Sequence, residues 1–224
     1  MRPALAPSFA PARSPQHRRS IARLAFGTLS AALAFVVLVA MAPEPDPTPS
    51  RWELDLELGP MRIATVDTTS GPRAFWYLTL KVENNSGRDQ FFVPAFDLAT
   101  DRGQVVRAGR GVPGSVYAEL LNRLQNPLLE TQFAVQDLLL QGEENAKEAL
   151  VVWPAVDLDA DRLSVFFIGF SGENKRMFIP DPETKELVEF VTRKTYMVQY
   201  CTPGQIRVDR AEPFEVCGRV WVMR

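Results

Sequence analysis

Side chains that could carry out chemistry are scarce in this sequence. Its single histidine, His17, lies in an arginine-rich stretch near the N-terminus. The rest of the chain therefore cannot assemble a Ser–His or Cys–His catalytic pair, nor a zinc site built with histidine. Catalysis by carboxylates or lysines remains open as an alternative. Since no residue stands out as catalytic or as a cofactor ligand, we expect neither enzymatic activity nor a cofactor.

Three aspartates at alternate positions are a weak candidate for a metal site. Asp157, Asp159 and Asp161 would share one side of an extended strand, and carboxylate oxygens suit Ca²⁺. A calcium loop of the EF-hand type would continue with a glycine and end in a glutamate at its twelfth position. Arg162 and Leu163 follow here instead. The sequence thus favours a solvated turn between two strands over metal binding.

An uncharged stretch at residues 24–43, LAFGTLSAALAFVVLVAMAP, predicts a membrane-spanning helix. Its length is that of the roughly 20 residues that cross the hydrocarbon core. All acidic residues follow it, and five arginines precede it, namely Arg2, Arg13, Arg18, Arg19 and Arg23. The positive-inside rule then predicts a single-pass protein of the cell membrane. Residues 1–23 would form a basic, disordered cytoplasmic tail, and the C-terminal domain would be extracytoplasmic.

A cleavable signal peptide is the rival interpretation of this stretch. Ala40, Met41 and Ala42 have the small-x-small pattern of a cleavage site. The apolar stretch is longer than the usual h-region of 7–15 residues, and Pro43 would directly follow the cut. An uncleaved signal-anchor is therefore favoured, and secretion after cleavage stays as the alternative.

Residues 44–50 form a proline-rich linker. Alternating prolines favour extended polyproline II, a semi-rigid spacer, which would hold the following domain off the bilayer. Apart from the five N-terminal arginines, the basic residues of the chain are outnumbered by its 27 acidic residues. An acidic domain lacks the basic face that phosphate contacts require, so we do not expect a nucleic-acid partner.

The two cysteines, Cys201 and Cys217, are predicted to form a disulfide. An even count outside the cytoplasm is typical of a disulfide, and the bond would staple a terminal hairpin or long loop. Two free buried thiols are the alternative. The spacing is not that of a reactive C-x-x-C pair, so a redox role is disfavoured.

Residues 51–224 predict a mainly β domain. Between turn signals, several stretches either alternate apolar and polar residues or are continuously apolar, namely WELDLELG, RAFWYLTLKVE, QFFVPAFDLAT, KEALVVWPAV and LSVFFIGF. The C-terminal part offers ELVEFVTRKTYMVQY, GQIRVDR and CGRVWVMR as further strands. Val116, Leu120, Leu121 and Leu124 have helical spacing, which predicts a short helical insert at about residues 115–125. TQFAVQDLLL is ambiguous between strand and helix, and we favour a strand.

The order of four segments in this domain is similar to that of a known class, and these segments are LKVENNSG, FFVPAFDLATDRGQVV, GEENAKEALVVW and DADRLSVFFIGFSG. It resembles the immunoglobulin-like extracytoplasmic domains of bacterial membrane-anchored proteins, many of unknown function. The resemblance covers roughly residues 73–172. It implies an antiparallel sandwich of two sheets and implies no chemistry. The helical insert and the long C-terminal part depart from it.

The leading hypothesis is a membrane-tethered binding module of the bacterial envelope. A protein partner is expected, although sandwich domains host many functions and the step from fold to binding is an analogy. A secreted structural component of the envelope is the first alternative, and a carboxylate-dependent enzyme with a deep pocket is the second.

Overall fold

The computed structural model describes residues 43–202 and 204–224, so the predicted cytoplasmic tail and all but the last residue of the predicted membrane span lie outside it. The described helices are α1 (Gly114–Leu124) and a short 3-10 helix (Glu143–Asn145). No helix of this part of the chain is long and apolar enough to cross a membrane. The strands are β1 (Asp55–Leu58), β2 (Arg62–Thr68), β3 (Gly71–Glu83), β4 (Gln90–Phe92), β5 (Ala95–Thr100), β6 (Val105–Arg107), β7 (Leu129–Thr131), β8 (Asp137–Leu139), β9 (Lys147–Pro154), β10 (Arg162–Ile168), β11 (Asn174–Pro180), β12 (Leu187–Cys201) and β13 (Glu215–Met223).

The first sheet is organised around β3. Strands β1 and β2 pair antiparallel with residues 80–83 and 71–77 of β3, and β9 pairs antiparallel along its opposite side. β7 adds to β9 in parallel. This parallel pair departs from the purely antiparallel arrangement that the sequence predicts.

The second sheet is antiparallel and contains the longest strand. Its order is β6–β5–β10–β12–β13, and β11 pairs with the N-terminal half of β12. β12 has 15 residues, whereas its neighbour β10 has seven. It therefore extends well past β10. Strands β4 and β8 form a separate two-stranded sheet.

The two large sheets share one hydrophobic core. Trp76, Leu78, Leu80 and Val82 of β3 are all buried, as their alternation predicts, and they belong to one cluster with side chains of β5, β10 and β12. The indole of Trp153 on β9 donates a hydrogen bond to the carbonyl of Phe96 on β5, over 3.3 Å. This bond ties the first sheet to the second.

The predicted helical insert is confirmed as α1, whose first residue is Gly114. Val116, Tyr117 and Leu120 are buried in a second cluster together with Phe75 and Leu150 of the first sheet. Because Phe75 and Trp76 are neighbours on β3, they point to opposite faces of the sheet. The helix thus covers the face of the first sheet that lies away from the shared core.

One predicted strand is wrong, and a second is confirmed only at its ends. GQIRVDR forms a loop. Its backbone makes isolated hydrogen bonds to the turn before β10, for example from Ile206 N to Leu158 O over 2.7 Å, in place of a strand ladder. TQFAVQDLLL is interrupted by a turn between β7 and β8. Gln132 in that turn is buried, and its side-chain oxygen accepts hydrogen bonds from Tyr117 and from Val152 N, both over 3.2 Å. A mainly β fold with several antiparallel sheets and one short helix is confirmed.

Candidate interaction surface

Asp157 and Asp161, two of the three candidate metal ligands, serve separate contacts, and the backbone amide of Asp159 donates to Asp157 Oδ1 over 3.3 Å. Asp157 is buried, and it accepts a hydrogen bond from the hydroxyl of Thr100 over 3.1 Å. Asp161 accepts one from Gly204 N over 3.0 Å. In residues 43–202 and 204–224, no group of three or more His, Cys, Asp or Glu side chains is placed to hold a metal ion. The motif instead shapes the turn between β9 and β10 and fastens the β12–β13 loop to it.

The β12–β13 loop lines an open cavity of about 310 Å³, where the carboxylates required by the enzyme alternative could lie. A general acid there would need a raised pKa. The Arg207 guanidinium, 2.8 Å from the Asp209 carboxylate, instead holds the pKa of Asp209 below its ordinary value. This exposed ion pair favours the ionised form of Asp209, which makes Asp209 a poor general acid.

Cys201 and Cys217 lie together at the base of this loop, as the sequence predicts. Their sulfur atoms are at disulfide-bonding distance and their Cα atoms are 5.8 Å apart. The ladder of β12 and β13 pairs Gln199 with Gly218 but Tyr200 with Val216, so Cys217 is the extra residue of a β-bulge. A bulge re-aims the side chain of its extra residue, and here it turns Cys217 toward Cys201.

Removing this bond is expected to destabilise the domain. The double variant Cys201→Ser/Cys217→Ser should lose about 3 kcal/mol of unfolding free energy, the chain-entropy value for a loop of this length. Urea unfolding of the detergent-solubilised full chain, followed by tryptophan fluorescence, measures the loss. Reduced wild-type protein is the control and should unfold like the double variant. A loss below about 1 kcal/mol would show that the bond does not constrain the unfolded chain as expected.

A hairpin of β11 and the first half of β12 extends past the shared core, and we call residues 174–193 the arm. Among the described residues β11 pairs with β12 and with no other strand. The exposed large apolar side chains of the arm are Phe178, Ile179, Leu187, Val188, Phe190 and Val191. Each of these side chains is 40–67 % exposed, and exposed apolar side chains gathered on one element often mark a functional surface. The arm is therefore the candidate interaction surface.

The register of the arm sorts its side chains onto two faces. Paired residues point the same way and neighbours along a strand point oppositely. We call one face the core-side face, because it continues the side of β12 that carries the buried Val198 and Tyr200; it comprises Lys175, Met177, Ile179, Val188, Phe190 and Thr192. The opposite, outer face comprises Asn174, Arg176, Phe178, Pro180, Leu187, Glu189, Val191 and Arg193.

A cavity of about 320 Å³ lies where the outer face meets the domain. Asn174 and Arg193, the first pair of the outer face, line it together with Trp52, Phe91 and Val93. Phe91 is 80 % exposed and Val93 is 65 % exposed. The outer face and this cavity thus form one continuous surface that combines apolar side chains with the guanidinium of Arg193.

A buried ion cluster supports the base of the arm. The Lys194 side chain is 3 % exposed, and its ammonium lies 2.5 Å from Glu53 and 3.3 Å from Glu173. Burial by itself lowers the pKa of Lys194, but the two close carboxylates outweigh it, so the pKa lies above the ordinary lysine value. The ring of Trp221 adds a cation–π contact, with its centroid 5.2 Å from the ammonium. The lysine is therefore held in its charged form.

The first residues of the linker are bound to this cluster. Asp46 N donates to Glu173 over 2.9 Å, and the Asp46 carboxylate lies 2.8 Å from the Lys175 ammonium. The hydrogen bond from Lys175 holds the pKa of Asp46 below its ordinary value. Lys175 also donates to the carbonyl of Glu44. The linker was expected to be a spacer, but the structure fixes its first residues on the domain, because the Asp46 carboxylate and the carbonyls of Glu44 and Asp46 accept bonds from these two lysines.

Comparison of the chain with protein-family models, with curated proteins and with solved structures found no match. The class that the fold defines is a mainly β domain with one docked helix and a projecting apolar arm.

Proposed function

We propose that the chain is a membrane-tethered, non-catalytic interaction module of the bacterial envelope. A signal-anchor at residues 24–43 holds an extracytoplasmic immunoglobulin-like sandwich, and the outer face of the arm binds a protein partner. The arm is the main support for this proposal, because a two-stranded hairpin that exposes apolar side chains gains stability when another surface covers it. Phe178 and Leu187 on its outer face are 61 % and 67 % exposed.

The order of the strands supports the immunoglobulin-like class. The immunoglobulin fold places strand B beside E in one sheet and lays C, F and G side by side in the other. Here β3 lies beside β9, and β5, β10 and β12 are consecutive neighbours in the second sheet. The shared core between these sheets adds further support.

The chemistry of the outer face indicates the kind of partner segment. Arg176 and Arg193 are exposed there beside the apolar Phe178, Leu187 and Val191. Glu189 lies 3.3 Å from Arg176 and compensates one of the two guanidinium charges. A partner segment that carries apolar side chains and one acidic group complements this surface. Its carboxylate would meet Arg193 at the mouth of the cavity.

A crosslinked pull-down from native membranes tests the proposed function. The bait is the full chain with a C-terminal tag on a flexible linker, and both its mass and its partners are read by mass spectrometry. We expect an intact bait that includes residues 1–43 and one reproducible envelope protein. A shortened bait in the soluble fraction with no partner would contradict the tethered module and favour the secreted alternative.

Variants of the arm make this result specific. Phe178→Ser with Val191→Ser should lower recovery of the partner at least tenfold, because both side chains lie on the outer face and their burial drives binding. Val105→Ser with Leu128→Ser is the matched control, since these residues are 60 % and 70 % exposed outside the arm. Equal recovery with both double variants would exclude the arm as the binding surface.

A further inference from the structure

The core-side face of the arm extends the apolar surface of the shared core past the point where other side chains bury it. Along β12, Tyr200 and Val198 are buried in the shared core, and Lys194 is buried in the ion cluster. The next apolar residues on the same side, Phe190 and Val188, are 47 % and 40 % exposed. Within the described residues, this side of β12 is therefore buried as far as Lys194 and exposed beyond it.

The first described residues of the chain lie beside the base of the arm. Lys175, the first residue of the core-side face, donates to the carbonyl of Glu44 and pairs with Asp46. Pro43 is the last residue of the predicted membrane span and precedes Glu44. A chain of three residues reaches at most about 10 Å, which bounds the separation between Pro43 and Asp46. If residues 24–43 span the bilayer, the base of the arm must then lie within about that distance of its surface.

We propose that the core-side face of the arm rests on the membrane surface. Met177, Ile179, Val188 and Phe190 would contact phospholipid at the boundary between headgroups and acyl chains. This proposal rests on the membrane tether of the proposed function, and it adds phospholipid as the partner of the core-side face. The five residue steps from Lys175 to Pro180 give the arm a length of about 17 Å along the bilayer.

Charge distinguishes lipid from protein as the partner of this face. Between Lys175 and the turn of the arm the core-side face carries no charged residue, whereas the outer face carries Arg176, Glu189 and Arg193. A face without charged groups suits the membrane interface better than a face that carries three of them. The core-side face is thus assigned to lipid and the outer face to protein.

The turn of the arm sets the depth of this contact. Asp181 accepts backbone hydrogen bonds from Glu183 and Thr184, each over 2.8 Å, and Glu186 follows in the same turn. Carboxylates are costly to bring into hydrocarbon. The turn therefore stays among the headgroups, and the arm lies along the surface instead of inserting by its end.

Photo-crosslinking in native membranes tests the lipid contact. Benzoylphenylalanine replaces Phe190 on the core-side face of the full chain, and in a control chain it replaces Phe133, which is 53 % exposed outside the arm. After irradiation the intact mass of the purified chain is measured. We expect at least a tenfold higher yield of phospholipid adduct at position 190 than at position 133.

Each other outcome overturns the lipid contact. An adduct at position 190 with a second copy, with another protein or within the same chain would assign this face to that partner. Equal lipid yields at both positions, or no lipid adduct at position 190, would also refute it. The mass of the same sample tests the tether separately. A chain that lacks residues 1–42 would refute the tether, whatever its adducts, whereas an intact chain without lipid adduct would refute the lipid contact alone.

Discussion

Replacing Lys194 with methionine is expected to lower the free energy of unfolding by about 3–5 kcal/mol, the cost of removing one partner from a buried ion pair. The substitution leaves the buried carboxylate of Glu173 and the partly buried carboxylate of Glu53 without their shared cation. It also removes the donor to the Asp46 carbonyl, 3.2 Å away. Urea unfolding of the detergent-solubilised full chain measures the effect.

Two further variants isolate the buried charge as the cause. Lys175→Met removes an ammonium that is 31 % exposed, so it should cost less than about 1 kcal/mol. The triple variant Lys194→Met/Glu53→Gln/Glu173→Gln should recover most of the loss, because no uncompensated charge then stays buried. A loss for Lys194→Met no greater than that for Lys175→Met would contradict the cluster.

Replacing Trp153 with alanine is expected to cost about 3–5 kcal/mol, the range for large aromatic residues in a core. Trp153 is fully buried on β9, and its indole bonds to Phe96 on the other sheet. The variant loses this packing and the direct bond between the sheets. The same unfolding assay applies, with circular dichroism to follow the strands.

Trp52 provides the matched control for this variant. It is half-buried and packs against the same core from the start of the domain. Trp52→Ala leaves a smaller cavity, so it should cost less than half as much as Trp153→Ala. Equal losses would mean that the full burial of Trp153 and its bond to Phe96 add no stability beyond that of a half-buried tryptophan.

The core of the domain could be predicted from the sequence because its signals are local. Period-two alternation identified the buried side of β3, and helical spacing placed α1 within one residue. A cysteine pair near the C-terminus was enough to predict which sulfur atoms meet. The parallel pairing of β7 with β9 depends on contacts between distant segments, and no local pattern specifies it.

The arm and its ion cluster were missed for a related reason. The stretch ELVEFVTRKTYMVQY was predicted as a strand, and β12 matches it. That its first half extends past the core follows from the lengths of neighbouring strands. A strand of 15 residues, against the usual five or six, is the signal that was available. No local pattern marks Lys194 as buried, because one of its partners, Glu53, lies far away in the sequence.

The most direct test of the central claim asks what lies against the outer face of the arm. Benzoylphenylalanine in place of Phe178, in the full chain within native membranes, reports its neighbour covalently. The expectation is that position 178 joins one envelope protein, at least tenfold more than position 133 does, on a chain that retains residues 1–43. Equal protein adducts at both positions, or phospholipid as the main adduct at position 178, would contradict it.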